Sequence, residues 1–394
     1  MQRERNQGKG RIIGMDIHPE CFSASGLENT NAKTAQELFM HHQVLMENLE
    51  RWISKNKQPG DLYVMEAGSN SFDTSERLKK HGCNVVVLES FRAGQIGKSY
   101  LKDDKVDARK IARIYLSGLA HEVWQPDEIT RERREVLASY NKAKTDSTRC
   151  RNRIWGWCTG HGVKRPKGLK LTSAKGLEWL LTSREWSHRQ KMIIESMHDD
   201  LLHACVKRKE LQKLMAIEIA EDPEMLKLQQ LCGLRLVVIY ALFAIIGDIS
   251  RFRNPKKLVA YIGLQPSVNT SGISVKGGPL KHTGRKDLRS LLVQSAHAII
   301  RMGSAKNPMA TWGRALKYRK GGNIAVIAVA RKLVTYVWYL LRGFFTPLHE
   351  ISNSFNRKLQ ILATNIGTED RRAMGYESVK VFIKEKRKIL LAES

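Results

Sequence analysis

Residues 11–18 read Arg-Ile-Ile-Gly-Met-Asp-Ile-His, an apolar β-strand pattern that is interrupted by one acid, Asp16. A carboxylate in the middle of a buried strand is costly unless a cation offsets its charge. The next run, from Cys21 to Glu28, predicts a second strand joined to the first by a tight turn. Asp16 therefore predicts a cation-binding position on the first strand of a sheet.

The rest of the first 120 residues alternates strand-like and helix-like patterns, as in an α/β domain. Further strands are predicted at 61–67 and 83–88, with a weaker one within 34–41. Helices are predicted at 42–56, at 71–81, and from an Asp103 cap to Leu119. We expect a sheet covered by helices.

Three further carboxylates occupy positions that a sheet and a helix can bring together. Glu66 ends a predicted strand, and Asp104 and Asp107 stand three residues apart at a predicted helix start. Each alone is as consistent with a cap or a surface acid, and for Asp104 that interpretation is favoured. As a set they match the RNase H-like fold, in which the first strand, the fourth strand's end and a following helix converge. Such carboxylates hold two divalent cations about 4 Å apart for phosphoryl transfer, and oxygen ligands favour Mg²⁺.

The charge of the chain indicates a polyanionic partner. The sequence has 67 Lys and Arg against 39 Asp and Glu, a formal net charge of +28. The first 120 residues hold 18 basic and 15 acidic side chains, so most of the excess lies beyond them. Residues 131–170 carry 12 basic and 3 acidic groups, and residues 251–290 carry 9 and 1. These two stretches are candidate phosphate-binding surfaces for nucleic acid.

The apolar runs and cysteines predict a soluble, cytoplasmic protein. The longest apolar run, Leu236 to Ile246, covers about half of the ~20 residues that span a bilayer, and the N-terminus has no apolar leader segment. Six cysteines occur without a Cys-x-x-Cys pair, which argues against a zinc ribbon or a disulfide framework. Zinc ligation by Cys150, Cys158 and His161 is the less favoured alternative to reduced thiols.

Residues 127–221 predict two long charged helices, at 128–157 and 186–220, joined by a basic turn at 164–168. Such an antiparallel hairpin serves as a nucleic-acid arm, a dimerisation coiled coil, or both, and a merely solvated charged face has equal weight. Four tryptophans near the turn suit stacking on nucleotides but equally suit a core: Trp155, Trp157, Trp179 and Trp186.

The remaining sequence predicts helices and one loop. A helix ending at Cys232-Gly233, an apolar helix at 236–246 and a helix from Asn254 to Gly263 form a unit whose glycines allow backbone contact with phosphate. Residues 269–282 are rich in Gly, Ser and Thr and predict a flexible loop. Helices at 287–302 and 324–341 have broad apolar faces, and 369–391 predicts a basic amphipathic helix.

Several of these segments resemble the DEDD transposases of bacterial insertion sequences, relatives of the pilin-gene invertases. In the first half the similar segments are Gly14-Met-Asp-Ile-His18, Val64-Met-Glu-Ala-Gly68 and the run from Lys102 to Ala112. In the second half they are Leu231-Cys-Gly-Leu234, the runs 246–252 and 258–266, Thr270-Ser-Gly272 and the run 281–289. The order of the motifs over most of residues 10–345 makes the resemblance specific.

The resemblance implies an organisation and a chemistry for this chain. It implies a RuvC-like (RNase H-like) catalytic domain at 1–125, a helical coiled-coil arm at 126–222, a mostly helical C-terminal transposase domain at 223–345 and a basic helical tail at 346–394. Asp16, Glu66, Asp104 and Asp107 would be the metal-binding and catalytic carboxylates. Ser271 would be the nucleophile that attacks DNA and forms a covalent phosphoserine intermediate. A structured noncoding RNA would guide the enzyme to double-stranded donor and target DNA, in a homo-oligomer that is a dimer of dimers.

Some assignments and two rival functions stay open. Thr270, Ser267 and Ser274 are lesser alternatives to Ser271 as the nucleophile. Asp103 is a second possible ligand beside Asp104, and His18 either lies near the metal ions or is a surface group. The nearest rival function is a hydrolytic junction nuclease that uses the same carboxylates with water. The other is a nucleic-acid-binding protein without catalysis.

Overall fold

A computed structural model describes residues 10–68, 70–89, 104–118, 121–271, 274–280, 283–302, 307–344 and 353–392 of the chain. Within these ranges the side chains of 104–106, 268–271, 274–277, 279, 353–354 and 390–392 are left aside. The chain divides into two compact units, residues 1–126 and 127–394, which are described separately.

The first unit is built on a mixed five-stranded sheet in the order β3-β2-β1-β4-β5. Its strands are β1 (Arg11–Ile17), β2 (Cys21–Glu28), β3 (Glu37–Leu45), β4 (Leu62–Glu66) and β5 (Asn84–Leu88). The first three strands pair antiparallel, whereas β4 runs parallel to β1 and β5 runs parallel to β4. Its helices are α1 (Leu49–Asn56), α2 (Ser71–Lys80) and α3 (Asp104–Ser117).

Helices cover both faces of this sheet, because its central strands are apolar on both sides. On one face, Ile13 and Met15 of β1 pack with residues of α1 and α2 such as Trp52 and Leu78. On the other face, Ile12 of β1 packs in a cluster with residues of α3. The alternation of side chains along a strand therefore assigns Asp16, which is an even-numbered position, to the α3 face.

A glycine fixes how closely α3 approaches the sheet. A Cβ atom at Gly14 would lie 2.1 Å from the Ala108 carbonyl oxygen and 2.8 Å from the Ala112 backbone nitrogen. Ala108 and Ala112 are themselves fully buried and small. Three small residues therefore let the helix backbone rest directly on strand β1.

The second unit is mostly helical. Its helices are α4 (Glu128–Gly160), α5 (Ala174–Thr182), α6 (His188–Glu221), α7 (Pro223–Lys227), α8 (Leu236–Ile246), α9 (Pro255–Ile262), α10 (Lys286–Arg301), α11 (Pro308–Lys320), α12 (Gly322–Leu341), α13 (Asn353–Ile366), α14 (Thr368–Ala373) and α15 (Val379–Ala392). Its strands β6 (Pro266–Ser271) and β7 (Ser274–Leu280) pair antiparallel. The predicted α/β first region and helical remainder are thus confirmed.

The two longest helices, α4 and α6, pack against each other as the predicted hairpin. At the base of the hairpin, Leu137 and Tyr140 of α4 join the main core of the unit together with Met215 and Ile219 of α6. The far end has a separate hydrophobic cluster that includes Ile154, Trp186 and Leu201. The hairpin therefore connects two cores.

The centre of the main core is the apolar helix α8, in which nine of eleven residues are buried. Helix α12 packs nearby and has the length and apolar composition of a membrane span, with half of that stretch buried inside the protein. Val329, Leu333 and Val337 of α12 are fully buried in the main core. This packing identifies α12 as a core helix.

Strand β3 corrects one prediction. Residues 42–45, predicted to begin a helix, continue β3 through the pairs Phe22–Val44 and Cys21–Leu45. The Trp52 indole N–H donates to His41 Nδ1 at 2.7 Å and ties the strand to α1. Pairing with β2 therefore outweighs the helical spacing of the apolar residues, and the helix begins only at Leu49.

The second unit corrects three more predictions and contains two helices that were not predicted. Helices α5 and α11 were not predicted, although Ser173 and Asn307 cap their first turns. The helix expected to reach Cys232 ends at Lys227 and is followed by a 3₁₀ turn. The flexible loop predicted at 269–282 is wrong, because strands β6 and β7 form a hairpin there. The single tail helix is wrong as well, because Gly375, with φ of 86°, separates α14 from α15.

We predict that Gly14→Ala lowers the free energy of unfolding by about 3 kcal/mol, because the added methyl group overlaps the Ala108 and Ala112 backbone. The measurement is urea denaturation of the full chain followed by circular dichroism. Gly68→Ala is the control, because nothing lies within 4 Å of its added Cβ. Equal stability of the two variants would contradict the close approach of α3.

Candidate active site

Asp16 lies one residue before the end of β1, on the sheet face that α3 covers. Its side chain is 22% exposed, and His18 Nε2 lies 3.2 Å from its Oδ2 atom. The His18 side chain is about half exposed, at 51%. The sequence predicted Asp16 in the middle of a buried strand, whereas the structure places it next to the end of the strand and partly exposed, with His18 beside it.

Glu66 ends the neighbouring strand β4. The parallel register pairs Met15 with Met65, so Asp16 and Glu66 follow at the same level of adjacent strands. Side chains at equal register in parallel strands point to the same face, and such strands lie about 4.8 Å apart. The cluster that contains Val64 of β4 also contains Ile111 and Ala112 of α3. Glu66, two residues beyond Val64, therefore shares the α3 face with Asp16.

Helix α3 supplies the other two predicted carboxylates. Asp107 directly precedes Ala108, whose carbonyl oxygen meets Gly14, two residues before Asp16 on β1. Its side chain is 48% exposed and lies 3.2 Å from Lys110 Nζ. Asp104 is the first residue of α3, and its side chain lies outside the described part of the chain, as does Asp103 altogether.

The described side chains include three of the four predicted ligands. Asp16 and Glu66 are neighbours, and Asp107 stands on the helix that covers them. Among the described residues, no group of three or more His, Cys, Asp or Glu side chains is close enough to hold a metal ion. Asp107 forms an ion pair with Lys110, three residues further along α3. Sequence reasoning missed this lysine, although the i, i+3 spacing is visible in the sequence.

The predicted nucleophile belongs to the second unit. Ser271 is the last residue of β6 and pairs in register with Ser274 at the start of β7. The side chains of Thr270, Ser271 and Ser274 lie outside those that the structure describes. Ser267 contacts Gly278 across the hairpin, where an added Cβ would lie 2.3 Å from its Oγ atom.

A groove of about 630 Å³, lined mostly by residues with polar side chains, lies between α4 and α10. Its lining is Asn141, Lys144, Thr145, Thr148, Arg149, Asn152, Asp287, Ser290, Leu291 and Gln294. Six of these side chains are amides or hydroxyls, the groups that contact sugar and phosphate beside Lys and Arg. Sequence reasoning missed the groove. The feature that could have indicated it is a row of polar residues three or four positions apart, which lie on one side of α4. The groove joins the two basic stretches, 131–170 and 251–290.

Three arginines approach one another beside this groove. Arg134 Nε donates to the Ala244 carbonyl at 2.9 Å, and Arg251 Nε donates to the Ile246 carbonyl at 2.9 Å, so both cap helix α8. Burial lowers the pKa of Arg134, and the charges of Arg285 and Arg251 act in the same direction. The cluster therefore carries a local excess of positive charge.

Arg285 and Asp287 form an ion pair in this cluster, with Nη2 and Oδ2 2.7 Å apart. Burial opposes the ionisation of Asp287, but hydrogen bonds from Arg285 and from the Leu288 N–H outweigh it and hold its pKa below the ordinary value. Asp287 is therefore ionised at neutral pH and neutralises one of the three arginines.

Two family models match the chain. A model described as a transposase, of the DEDD type, matches residues 13–159. A model described as the IS116/IS110/IS902 transposase family matches residues 225–310. Asp16, Glu66, Asp104 and Asp107 fall within the first match, and Ser271 falls within the second.

Individual relatives agree with the family models. A probable family 20 transposase of Pseudomonas aeruginosa is 22% identical over 84% of this chain and 96% of its own length. The transposase for insertion sequence element IS1111A of Coxiella burnetii is 24% identical over 86% of this chain and 92% of its own. The pilin gene-inverting protein of Moraxella lacunata is 34% identical over 28% of this chain and 35% of its own. The chain belongs to the IS116/IS110/IS902 family of transposases.

Proposed function

We propose that this transposase cuts and rejoins DNA through a covalent bond to Ser271, with the carboxylates of the first unit holding divalent metal. The observation that carries the proposal is the register of β1 and β4, in which Asp16 and Glu66 directly follow the pair Met15–Met65 on adjacent parallel strands. The family supplies the DNA-cutting and rejoining activity, and the resemblance of the Thr270-Ser271-Gly272 motif supplies the serine.

The sheet supports an RNase H-like fold for the first unit. Three antiparallel strands are followed by two strands parallel to β1, and the acids stand on β1, at the end of β4 and on the next helix across the sheet. We keep the division at 1–125, 126–222, 223–345 and 346–394 as part of the proposal. The carboxylate domain, the arm, the serine domain and the tail would occupy these ranges in turn.

The donor set fits a hard divalent cation. Asp16 and Glu66 offer carboxylate oxygens at neighbouring positions, and the Asp16 side chain is mostly buried. Asp16, Glu66, Asp104 and Asp107 would hold the cations, and two bound Mg²⁺ would supply stabilisation of the charge that develops on the scissile phosphate. The chain itself contributes the shape of the α3 face and the exclusion of bulk water around Asp16.

The bond changes at the serine balance without an energy source. The Ser271 hydroxyl loses its proton, its Oγ–P bond forms, and a P–O bond of the DNA strand breaks with its sugar oxygen taking up a proton. A sugar hydroxyl of a second DNA end then attacks the phosphoserine, which restores the phosphodiester and frees Ser271. Because the phosphoserine conserves the bond energy, no nucleotide cofactor is required.

The charge distribution supports nucleic-acid partners. The groove and its arginine cluster lie where the two basic stretches meet, which suits contact with a sugar–phosphate backbone. We propose double-stranded donor and target DNA as the substrates. The guide RNA, the dimer of dimers and the cytoplasmic location rest on the resemblance and on the sequence.

We predict that Ser271→Ala abolishes a covalent protein–DNA adduct, because the alanine has no oxygen to attack phosphorus. The measurement is a denaturing gel of labelled donor DNA with Mg²⁺ and the RNA encoded beside the gene. Ser267→Ala, Thr270→Ala and Ser274→Ala are matched controls that keep the adduct. Cleavage that persists in Ser271→Ala without an adduct would identify a hydrolytic nuclease, and binding without any cleavage by the parent chain would identify a non-catalytic protein.

We predict that Asp16→Asn and Glu66→Gln each slow strand cleavage at least about a hundredfold, or about 2.7 kcal/mol, because each removes a charged metal ligand. Single-turnover cleavage rates at saturating Mg²⁺ measure the effect. Asp73→Asn, at an exposed acid of α2, is the control and keeps the parental rate. A parental rate in Asp16→Asn would refute the carboxylate site.

We predict that Lys144→Gln with Arg149→Gln weakens the salt dependence of duplex DNA binding. Two lost phosphate contacts reduce the slope of log K against log salt by about 1.8. Fluorescence anisotropy of a labelled duplex at several salt concentrations measures the slope. Lys33→Gln with Lys55→Gln removes the same charge from exposed positions of the first unit, and an equal change in slope there would show that the groove has no special part in binding.

A further inference from the structure

The far end of the arm, here called the arm tip and defined as residues 149–191, is strongly basic. It has eleven Lys and Arg against two Asp and Glu. It also has its own hydrophobic cluster, in which Ile154 and Cys158 of α4 pack with Trp186, Ile194 and Leu201. The arm tip is therefore a folded, cationic body at the end of two long helices.

A pocket of about 190 Å³ opens in the arm tip. It is lined by Arg151, Trp155, Arg165, Leu169, Lys170, Leu171 and Thr172. This volume admits one small group and excludes a nucleic-acid duplex. The pocket is distinct from the carboxylate site, which lies in the other unit, and from the groove between α4 and α10.

The polar wall of the pocket consists almost wholly of hydrogen-bond donors. Arg151, Arg165 and Lys170 have no carboxylate partner within 4.0 Å among the described residues. Three cationic side chains without a counterion in the pocket wall favour an occupant with acceptor oxygens and negative charge.

The same pocket presents flat π surfaces. The Arg165 guanidinium carbon lies 4.6 Å from the centroid of the Trp155 ring. Trp179 lies against Trp155 as well, with ring centroids 6.0 Å apart. Aromatic rings and guanidinium planes are the surfaces on which unpaired bases stack, in a way that tolerates any base.

We propose that the arm-tip pocket binds one unpaired nucleotide of a nucleic-acid strand. Arg151 and Lys170 contact its phosphate, and its base packs against the Trp155–Arg165 pair. The inference rests on the proposed function in one respect, namely that nucleic acid is the partner. It adds a site that reads the unpaired state of a strand and takes no part in cleavage.

The test compares two double variants of the full chain that lose equal charge. Arg151→Gln with Arg165→Gln removes two positive charges from the pocket wall. Arg189→Gln with Lys191→Gln removes two exposed positive charges of the arm tip outside the pocket. Binding of labelled oligo(U), oligo(dT) and a blunt DNA duplex, each about twelve units long, is measured by anisotropy in EDTA. Thermal unfolding checks that both variants fold.

We expect the pocket variant to lose at least about tenfold in affinity for the single strands and the control variant less than threefold, with equal small losses on the duplex. A preference for oligo(U) or for oligo(dT) assigns the strand to RNA or to displaced DNA, and both outcomes support the pocket. Equal losses in the two variants on every probe would overturn the proposal, because the arm tip would then act only through its net charge.

A second readout follows Trp155 itself. Stacking of a base quenches indole fluorescence, so oligo(U) and oligo(dT) quench the parent chain, and Trp155→Phe removes that part of the quenching while keeping an aromatic ring. Unchanged quenching in Trp155→Phe would overturn the assignment. Because these measurements need no cleavage, a failure here leaves the Ser271 adduct intact, and a missing adduct leaves strand binding intact.

Discussion

The close approach of α3 to strand β1 is the constraint on which the proposed catalytic unit depends. The Ala108 carbonyl oxygen occupies the space where any side chain at position 14 would stand. This contact holds the helix that begins with Asp104 and carries Asp107 against the face that bears Asp16 and Glu66. A helix held further out by a larger residue would leave these acids on separate surfaces.

The core of the second unit depends on a different interaction. Arginines from other elements donate hydrogen bonds to the last carbonyl groups of a buried apolar helix. Helix α8 ends in the core, and Arg134 and Arg251 donate to its last carbonyl groups. These carbonyls would otherwise be unsatisfied in an apolar environment. The same arginines gather positive charge beside the groove, so one set of side chains stabilises the core and shapes the surface offered to phosphate.

The sequence predicted the elements whose signals are local. Strands β1 and β2, helix α8 and the Asn254 cap of α9 follow from periodicity and capping residues. The end of β3 does not, because residues 42–45 are drawn into the sheet by pairing with β2, a contact that helical spacing cannot reveal. The hairpin at Ser271 was missed for a similar reason. Its sequence is rich in Gly, Ser and Thr, which is typical of a loop, and only the pairing of β6 with β7 shows that it forms strands.

The candidate site shows the same division. Asp16 was visible as a misplaced acid, and the register of β1 against β4 explains why Glu66 accompanies it. The partners of these acids were anticipated only in part: His18 was named as a possible neighbour of the metal ions, whereas Lys110 was missed although it lies only three residues after Asp107 on α3. The groove and the pocket were also not predicted, because the groove combines residues of α4 and α10 and the pocket combines α4 with the irregular segment that follows it.

The regular helix α4 links the groove to the pocket, since Asn141 lines the first and Trp155 lines the second. The step of 14 residues from Asn141 to Trp155 spans about 21 Å, and each residue turns the helix by about 100°. The helix therefore fixes both the distance between the two sites and their relative direction around its axis. Inserting one residue between the two sites would rotate the pocket by about 100° around the helix axis relative to the groove, whereas inserting seven residues would nearly restore its direction at a greater distance. Because α6 packs alongside α4, an insertion in α4 requires an insertion of equal length in α6. Each insertion must also be close to a whole number of helical turns.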